Sequence, residues 1–422
     1  MPTSESEALL QKLVDNRLNE WMLKPDYNQY GLSNLAASIM KFFGDKHLKH
    51  KPIADPRLDE VLDGVENIIL LLVDGLSYYQ ISGEVEKYLH ASLNPTTIPI
   101  TSTFPSTTTT ALTTLNTGLT PQEHAIIGYT TYLKEIGVVL SLTNFAPSAA
   151  PESISLIQAG LDPSSILGVE TIHSQLRKSG VKSIIMTRRI YRESPLTTML
   201  GLGADIETYV GVSDIFVRMR KLLENSRTPT LLFPYWDGLD IAAHIYGHQS
   251  EEAVSELKNF LASMKVNLME KINSNTAKKS ALLITGDHGQ VTFSPQEVLA
   301  VEKHPNLLNA LHIPPTGDSR AACLYPKPEM KEKIIEYVET HLSQSFSIYE
   351  TQHLLREGVF GLGEAKQNLL DRTGELILLP KRNGAIAYSY KPKYKEFDLK
   401  GGHGGLTPTE LIVPLICKNL IR

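Results

Sequence analysis

Residues 281–289 read Ala-Leu-Leu-Ile-Thr-Gly-Asp-His-Gly, and this stretch decides how the rest of the chain is interpreted. An apolar run of this length that ends in glycine is typical of a buried strand reaching the edge of its sheet. In open α/β sheets, ligands bind at the carboxyl ends of the strands. Asp287 and His288 stand at that end, and a carboxylate beside an imidazole suits a metal ion. The alternative is a turn in which Asp287 caps a following helix, which is the commoner role of an isolated Asp-His-Gly.

A second continuous apolar run, at 67–73, ends in the same way. Its residues suit a strand that is covered on both faces, as the strands of a parallel sheet are. Asp74 and Gly75 follow it directly, so a carboxylate again stands at the carboxyl end of a strand. A helix cap is the alternative role for Asp74.

Strand-like and helix-like segments alternate through the middle of the chain. Strand patterns lie at 138–140, 181–186 and 230–235, and helical patterns lie at 168–179 and 212–225. This alternation predicts an α/β fold with a doubly wound, mostly parallel sheet flanked by helices. The sequence contains no GxGxxG or GxxxxGK(S/T) phosphate loop, so a dinucleotide or nucleoside-triphosphate fold is not indicated.

The length of 422 residues exceeds what a single hydrophobic core usually holds. We predict an N-terminal helical segment at 1–60 that packs on the core. The α/β core itself is expected to comprise 61–303 and 400–422. The alternation weakens beyond Gln290, so 304–399 is predicted to be a smaller α+β insertion that covers the face carrying the strand ends.

Composition narrows the class of partner. The chain has 41 basic and 46 acidic residues, a net charge of -5, which gives no general attraction to nucleic acid or anionic membrane. A small-molecule substrate is therefore expected, with no nucleic-acid polymer and no membrane as partner. The two cysteines, Cys323 and Cys417, provide neither a disulfide framework nor a zinc site, so any metal must use oxygen and nitrogen ligands. The polar start of the sequence and the lack of any apolar run near 18 residues lead us to expect a cytoplasmic protein.

Two further segments carry residues that suit metal ions. Asp240 and His244 are four residues apart, so on one helix they point the same way and can share an ion. A salt-bridged helix surface is the alternative, but the residues between and beside them are apolar. His403 is bracketed by four glycines, which let the backbone approach closely and leave the imidazole as the functional side chain. A flexible linker with an incidental histidine is the alternative there.

Hydroxyl groups cluster at the predicted start of a helix. Pro105 and Ser106 are helix-start signals, Gly118 is a stop signal, and threonines fill the first turn between them. The first turn of a helix offers unpaired amides that suit an anion and an ionised alcohol. A cap rich in Ser and Thr without reactivity is the alternative. His124, in the loop after this helix, is either a ligand or, more commonly for a lone loop histidine, structural.

Together these motifs resemble the alkaline phosphatase superfamily, and most closely its nucleotide pyrophosphatase/phosphodiesterase branch. The resemblance covers roughly 65–300 and 400–417. It consists of a strand ending in Asp-Gly, an Asp-x-x-x-His followed by Tyr-Gly, a Gly-Asp-His-Gly, and a late Gly-x-His-Gly. It implies an alkaline phosphatase-like catalytic core with two metal ions. By the resemblance, one ion is held by Asp240, His244 and His403, and the other by Asp74, Asp287, His288 and the oxygen of a threonine nucleophile.

The resemblance implies a hydrolase that cleaves phosphodiester or pyrophosphate bonds through a covalent phospho-threonine. Mixed carboxylate and imidazole ligands favour two zinc ions, with manganese or iron as substitutes. Two such ions clamp the attacking and leaving oxygens of a displacement at phosphorus. The substrate would be a small phosphoester or a nucleotide.

The nucleophile has three candidates. Thr103-Phe104-Pro105 looks like the Thr-Phe-Pro of the phosphodiesterases, where the threonine is the nucleophile. In family members, however, the nucleophile stands nine residues before the Thr-Gly pair that ends the helix, and that count from Thr117 gives Thr108. We choose Thr108 because the helix sets the geometry of the site, with Thr107 and Thr103 as alternatives.

Tyr129 is a departure from the family pattern. The phosphodiesterases place an asparagine about 21 residues after the nucleophile to bind a phosphoryl oxygen, and Tyr129 stands at that offset from Thr108. Its hydroxyl can serve as the donor, so Tyr129 is predicted to bind substrate, but the change puts a preference for diesters in question. The alternatives are a phosphomonoesterase, a phosphonate hydrolase or a phosphotransferase of the same superfamily, and, remotely, a non-catalytic binding protein. The sequence does not indicate the oligomeric state.

Overall fold

The computed structural model describes residues 4–150, 154–391 and 398–421. The predicted N-terminal segment and the predicted insertion are therefore described without 1–3 and 392–397. In chain order the strands are β1 (Asn67–Val73), β2 (Thr96–Thr101), β3 (Thr130–Leu133), β4 (Val138–Ser141), β5 (Ala146–Pro147), β6 (Lys182–Arg188), β7 (Asp205–Tyr209), β8 (Thr230–Trp236), β9 (Ser280–Thr285), β10 (Val291–Thr292), β11 (Val298–Ala300), β12 (Leu311–Asp318), β13 (Ala321–Pro326), β14 (Phe346–Glu350), β15 (Leu376–Pro380), β16 (Ala385–Ala387), β17 (Gly401–Gly402) and β18 (Ile412–Asn419).

Helices alternate with these strands through most of the chain. In chain order they are α1 (Ser4–Asp15), α2 (Leu32–Phe42), α3 (Pro56–Leu62), α4 (Gly83–Leu93), α5 (Thr108–Thr117), α6 (Pro121–His124), α7 (Ser164–Leu167), α8 (Ile172–Lys178), α9 (Pro195–Leu200), α10 (Val212–Glu224), α11 (Gly238–Tyr246), α12 (Glu251–Met264), α13 (Ser274–Lys278), α14 (Pro305–Asn309), α15 (Lys331–His341), α16 (Thr351–Arg356), α17 (Leu369–Thr373) and α18 (Pro408–Leu411). Among the helices that the structure describes, none is both long and apolar enough to cross a bilayer.

The main sheet has seven strands in the order β2-β18-β9-β1-β8-β6-β7. Strands β9, β1, β8, β6 and β7 are parallel to one another, whereas β18 is antiparallel to both β9 and β2. Every residue of β1 is buried, as its uninterrupted apolar run predicts. The predicted α/β fold with a mostly parallel sheet is therefore confirmed.

Alternate residues of β1 enter different cores, because successive side chains of a strand point to opposite faces. Leu70 packs in a core with residues of α2 and α5, whereas Leu71 packs in a second core with residues of α4, α10 and α12. Helices therefore cover both faces of the sheet and hold its strand ends in place. The N-terminal α1 packs beside β2, where Ser6 Oγ donates to the carbonyl of Thr97 at 2.7 Å.

A second, antiparallel sheet has the order β14-β15-β13-β12-β3-β4-β5. The prediction that 138–140 belongs to the doubly wound sheet is wrong, since β4 lies in this second sheet. The preceding strand β3 alternates partly exposed and buried residues, a two-residue period typical of a strand with one covered face. Strand β12 joins β3 where Gly317 pairs with Thr130. The predicted insertion thus shares its sheet with a segment of the predicted core.

Candidate active site

Six predicted ligand side chains converge at the carboxyl edge of the main sheet. Strands β9, β1 and β8 are adjacent and parallel, so the residues after them meet at one edge. His403 reaches the same place because β17, just before it, pairs with β10, just after the Asp287–His288 turn. The structure brings the six together as two groups, and within each group the ligand atoms all lie within 4.8 Å of one another. The first group is Asp74, Asp287 and His288, and the second is Asp240, His244 and His403.

The first group is buried. The Nε2 atom of His288 lies 3.4 Å from Oδ1 of Asp74 and 3.5 Å from Oδ2 of Asp287. These two carboxylate oxygens are buried and have no hydrogen-bond partner among the described residues. The other oxygen of Asp287 accepts from the amides of Gly75 and His288 at 3.0 Å each. Oδ2 of Asp74 accepts from the hydroxyl of Tyr235. Unpartnered buried oxygens are costly, and oxygens aimed at one imidazole nitrogen fit a cation among them.

The second group lies on α11, with Asp240 in its first turn and His244 in its last, and on the loop after β17, which carries His403. The Nε2 atom of His244 is 3.4 Å from Oδ2 of Asp240. Oδ1 of Asp240 accepts from the side-chain amide of Gln290, which leaves Oδ2 directed toward the histidine. His403 belongs to this second group, and its ring also stacks on the first: the centroid of His403 is 3.8 Å from that of His288 and 5.1 Å from that of His244.

Backbone carbonyls orient all three imidazoles. Nδ1 of His244 donates to the carbonyl of Gly401 at 2.8 Å, Nδ1 of His288 to that of its neighbour Gly289 at 3.1 Å, and Nδ1 of His403 to that of Ser106 at 3.2 Å. A carbonyl only accepts, so Nδ1 carries the proton and the lone pair stands on Nε2. This is the arrangement by which proteins usually prepare histidine for a metal.

Electrostatics of the cluster also favour cations. Burial, followed by the nearby carboxylates of Asp240 and Asp287, raises the pKa of Asp74 well above its usual value. Burial likewise raises the pKa of Asp287. Burial and the imidazoles of His288 and His244 hold the pKa of His403 well below its usual value. The imidazole of His403 is therefore neutral, and its Nε2 lone pair can bind a metal ion. Such perturbed groups clustered in a cleft are typical of functional sites, and divalent ions would compensate the gathered carboxylates.

Thr108 is the first residue of α5 and faces the first group. Its Oγ1 lies 3.1 Å from Nε2 of His288 and 3.5 Å from Oδ2 of Asp74. The hydroxyl of Thr107 instead donates to Oδ1 of Asp318 at 3.0 Å, and that of Thr103 donates to the carbonyl of Pro105 at 3.0 Å. Of the three candidate nucleophiles, Thr108 is the one that contacts predicted ligands, and it stands at a helix N-terminus.

A cavity of about 640 Å³ opens onto this cluster. Tyr129, the predicted substrate-binding residue, lines this cavity and is 45% exposed. Apolar residues of α5 and β8, including Leu112 and Phe233, line the cavity beyond Thr108. His124 lies elsewhere: it is buried, with Nε2 3.0 Å from the hydroxyl of Thr114 and Nδ1 accepting from the amide of Ile126 at 3.0 Å, which is the structural role.

Three contributing residues were missed from the sequence. Tyr235 and Gln290 hold the outer oxygens of Asp74 and Asp240. The position of Tyr235 near the carboxyl end of β8 was a usable signal, whereas Gln290 follows Gly289 without any motif. Asp318 binds Thr107 from the second sheet, across more than 200 residues of chain, and no local pattern points to that contact.

Residues 68–406 match the family described as type I phosphodiesterase / nucleotide pyrophosphatase. No curated protein sequence gives a significant match. Murine ectonucleotide pyrophosphatase/phosphodiesterase 5 is similar in structure, with a TM-score of 0.60 and 16% identity over 83% of this chain and 87% of its own. Phosphonoacetate hydrolase from Sinorhizobium meliloti 1021 has a TM-score of 0.61 and 17% identity over 84% of this chain and 89% of its own. At such identities the structural likeness shows the fold. Because the family match spans most of the sequence, the chain belongs to the type I phosphodiesterase / nucleotide pyrophosphatase family, a family of enzymes that cleave phosphoester bonds.

Proposed function

We propose that the chain is a metal-dependent hydrolase of phosphodiester or pyrophosphate bonds that works through a covalent phospho-threonine at Thr108. The observation that carries the proposal is the position of Thr108. Its hydroxyl stands at the N-terminus of α5, within 3.5 Å of both Asp74 and His288. A hydroxyl beside a cation site and beside free helix amides is placed to attack phosphorus.

Two divalent ions would complete the site. Asp74, Asp287, His288 and Thr108 would hold one, and a second group would hold the other: Asp240, His244 and His403. The unpartnered carboxylate oxygens and the Nε2 lone pairs of the three histidines support this assignment. Three protein ligands of mixed oxygen and nitrogen type per ion favour catalytic zinc, with manganese or iron as substitutes. When bound, two such ions stabilise charge on the attacking and leaving oxygens.

The residues of the chain supply position and donors. The bond from Oγ1 of Thr108 to phosphorus forms as the bond to the leaving alkoxide breaks; the hydroxyl of Thr108 gives up its proton and the alkoxide takes one up from water. Water then hydrolyses the phospho-threonine, which restores the hydroxyl and releases the phosphorylated product. The first amides of α5 can donate to a phosphoryl oxygen, and so can the hydroxyl of Tyr129 at the cavity wall. The cavity beyond Thr108 has room for a small phosphoester or nucleotide. We also propose, from composition, that the enzyme acts in the cytoplasm.

Two relatives of similar fold support the choice of chemistry. A threonine-to-alanine variant of the murine ectonucleotide pyrophosphatase/phosphodiesterase 5, described as inactive, is solved in complex with AMP. The Sinorhizobium enzyme is a phosphonoacetate hydrolase solved in complex with phosphonoformate. The second relative, together with Tyr129 at the family's asparagine position, makes a phosphonate hydrolase or a phosphomonoesterase the alternative.

Paired substrates on zinc-loaded enzyme test the proposal. We expect turnover of bis(p-nitrophenyl) phosphate or of a dinucleotide, faster than turnover of p-nitrophenyl phosphate. Turnover of the monoester or of phosphonoacetate without any diester activity would establish the alternative instead. No turnover of any of them by enzyme that holds two ions would overturn the proposed activity.

Two threonine variants test the nucleophile. Thr108→Ala should be folded, metal-loaded and inactive, since a threonine in the first turn of a helix contributes at most about 1 kcal/mol as a cap. Thr103→Ala is the matched control, because its hydroxyl bonds to the carbonyl of Pro105 and contacts no predicted ligand. It should retain most activity. Trapping of labelled phosphate on the wild type but not on Thr108→Ala would identify the intermediate. An active Thr108→Ala that still traps label, together with an inactive Thr103→Ala that does not, would place the nucleophile at Thr103.

A further inference from the structure

The turn between β12 and β13, residues 318–320, carries the second sheet into the active site. Asp318 ends β12, and one of its carboxylate oxygens accepts two hydrogen bonds. Oδ1 receives the hydroxyl of Thr107 at 3.0 Å and the backbone amide of Tyr129 at 3.2 Å. Thr107 directly precedes Thr108, and Tyr129 lines the cavity. One carboxylate thus joins the start of the nucleophile helix to the loop that carries the predicted phosphoryl-oxygen donor.

Two glycines allow the backbone to close around this carboxylate. A β-carbon on Gly128, which has φ +75°, would lie 3.1 Å from Oδ2 of Asp318. A β-carbon on Gly404, next to His403 and with φ +115°, would lie 2.7 Å from the β-carbon of Asp318. Residues other than glycine rarely adopt such φ values, and a side chain at either position would collide with Asp318 or its neighbours. The loops of Tyr129 and His403 therefore both pack directly against Asp318.

A buried ion pair holds the turn in place. Nε and Nη2 of Arg320 donate to the two carboxylate oxygens of Glu410 at 2.6 and 2.9 Å, and both side chains are fully buried. Glu410 also accepts from the amide of Gly405 at 2.8 Å, in the loop that carries His403. A bidentate pair of this kind sets orientation as well as distance. Asp318, two residues from Arg320, consequently has a well-defined position.

The second oxygen of Asp318, Oδ2, is buried and has no hydrogen-bond partner in the part of the chain that the structure describes. Burial raises the pKa of Asp318 to about 7, against the opposing effect of its hydrogen bonds to Thr107 and Tyr129. A carboxyl group kept in such a place is poorly explained by stability, because an unpartnered buried polar atom is costly.

We propose that Asp318 is a positioning residue, which acts from the second sheet through Thr107 and Tyr129 to align the hydroxyl of Thr108 and the donor of Tyr129 with the substrate phosphorus. The inference rests on the proposed function. Asp318 touches neither the reacting hydroxyl nor a predicted metal ligand side chain in the structure, so its effect is expected on the rate of the chemical step. A misplacement of about 1 Å can lower such a rate on the order of 100-fold.

The test compares three variants on the diester substrate with zinc-loaded enzyme. Asp318→Ala removes the acceptor and should lower kcat on the order of 10- to 100-fold, with KM changed less than about 3-fold and metal content unchanged. Asp318→Asn keeps an acceptor oxygen of the same shape and should recover most of that loss. Thr107→Val removes one of the two donors, and adding Asp318→Ala to it should cost less than in the wild type, because the two residues act through one contact.

Thr316→Val is the matched control. Thr316 lies two residues before Asp318 on β12, and its buried hydroxyl is 3.0 Å from that of Tyr325, away from the site. It should lose stability without losing kcat per folded, metal-loaded molecule.

Several results would overturn the inference. They are an unchanged kcat in Asp318→Ala, equal losses in the alanine and asparagine variants, additive effects with Thr107→Val, and an equal kcat loss in Thr316→Val. If Asp318→Ala fails to fold, Thr107→Val alone decides the question: it should lower kcat with KM and metal content little changed, and an unchanged kcat would overturn the inference. Absence of activity in the wild type would refute the proposed function itself. Activity that needs Thr108 but not Asp318 would refute this inference alone.

Discussion

Removing the hydroxyl of Tyr235 should weaken the binding of one predicted metal ion and leave the binding of the other unchanged. That hydroxyl donates to Oδ2 of Asp74, whose other oxygen faces His288. Burial and the carboxylate of Asp74 raise the pKa of Tyr235 well above its usual value, so the hydroxyl remains a donor at neutral pH. The same hydrogen bond lowers the pKa of Asp74. In Tyr235→Phe, Asp74 is therefore easier to protonate and is less well oriented toward an ion.

The size of the effect follows from the type of bond. A hydrogen bond to a charged group contributes about 1.5–3 kcal/mol net, and each 1.4 kcal/mol or so is a tenfold change in affinity. Tyr235→Phe should therefore lower the affinity for the ion assigned to Asp74, Asp287 and His288 about 10- to 150-fold. The loss should grow as the pH falls, because protonated Asp74 is no longer a ligand.

Competition with a chromophoric chelator for zinc, on enzyme stripped of metal, measures both affinities. Tyr209→Phe is the matched control, since the hydroxyl of Tyr209 donates to the backbone carbonyl of Tyr235 at 2.8 Å and touches no carboxylate. That variant should bind both ions like the wild type. An equal loss in the two variants, or an equal loss at both sites in Tyr235→Phe, would refute the reasoning.

Two further predictions concern His403 and a buried histidine outside the site. Elemental analysis after zinc loading should find about two ions per chain in the wild type and about one in His403→Ala. The substitution removes one ligand from the group of Asp240 and His244 and none from the other group. Two ions in the variant would contradict the ligand assignment. His173 is buried between Asn116 and Ser183, and burial lowers its pKa from 6.5 to about 3. Its folded pKa lies below its unfolded one, so its contribution to stability is complete above about pH 6.5 and is lost as the pH falls toward 3. A scan of Tm from pH 7 to 4 should show a smaller decrease for His173→Gln than for the wild type, and equal slopes would contradict the assignment.

The centre of the main sheet could be predicted because its strands are buried at nearly every residue. A strand covered on both faces must be apolar throughout, so the runs that become β1, β8 and β9 stand out in one sequence. Their carboxyl ends had to meet once the strands were parallel. The convergence of Asp74, Asp240 and Asp287 was therefore predictable, although their roles as metal ligands stay a prediction.

The second sheet could not be predicted in the same way. Some of its strands are exposed on one face, such as β3, or very short, such as β5. Strand β12 contains Pro314 and Pro315, which ordinarily argue against a strand. Register shifts in the pairing of β12 with β13 accommodate these prolines. Which segments pair in such a sheet depends on tertiary packing. The contacts of Asp318 with Thr107 and Tyr129, each across more than 180 residues, were hidden for the same reason.

The two sheets contribute different parts of the chemistry. Predicted metal ligands come mostly from the ends of central strands whose side chains are locked into two cores, so their geometry should tolerate change at the surface. Tyr129, by contrast, stands just before β3, and Asp318 ends β12, and both strands belong to the second sheet. Substitutions of the residues by which that sheet borders the site, Tyr129 and Asp318, should therefore alter which phosphoester is cleaved, and how fast, while leaving metal content unchanged. The resemblance places an asparagine that binds a phosphoryl oxygen at the position of Tyr129, so we expect Tyr129→Asn to raise the ratio of diester to monoester turnover without changing zinc affinity. A fall in that ratio would show that the tyrosine itself supports the diester activity.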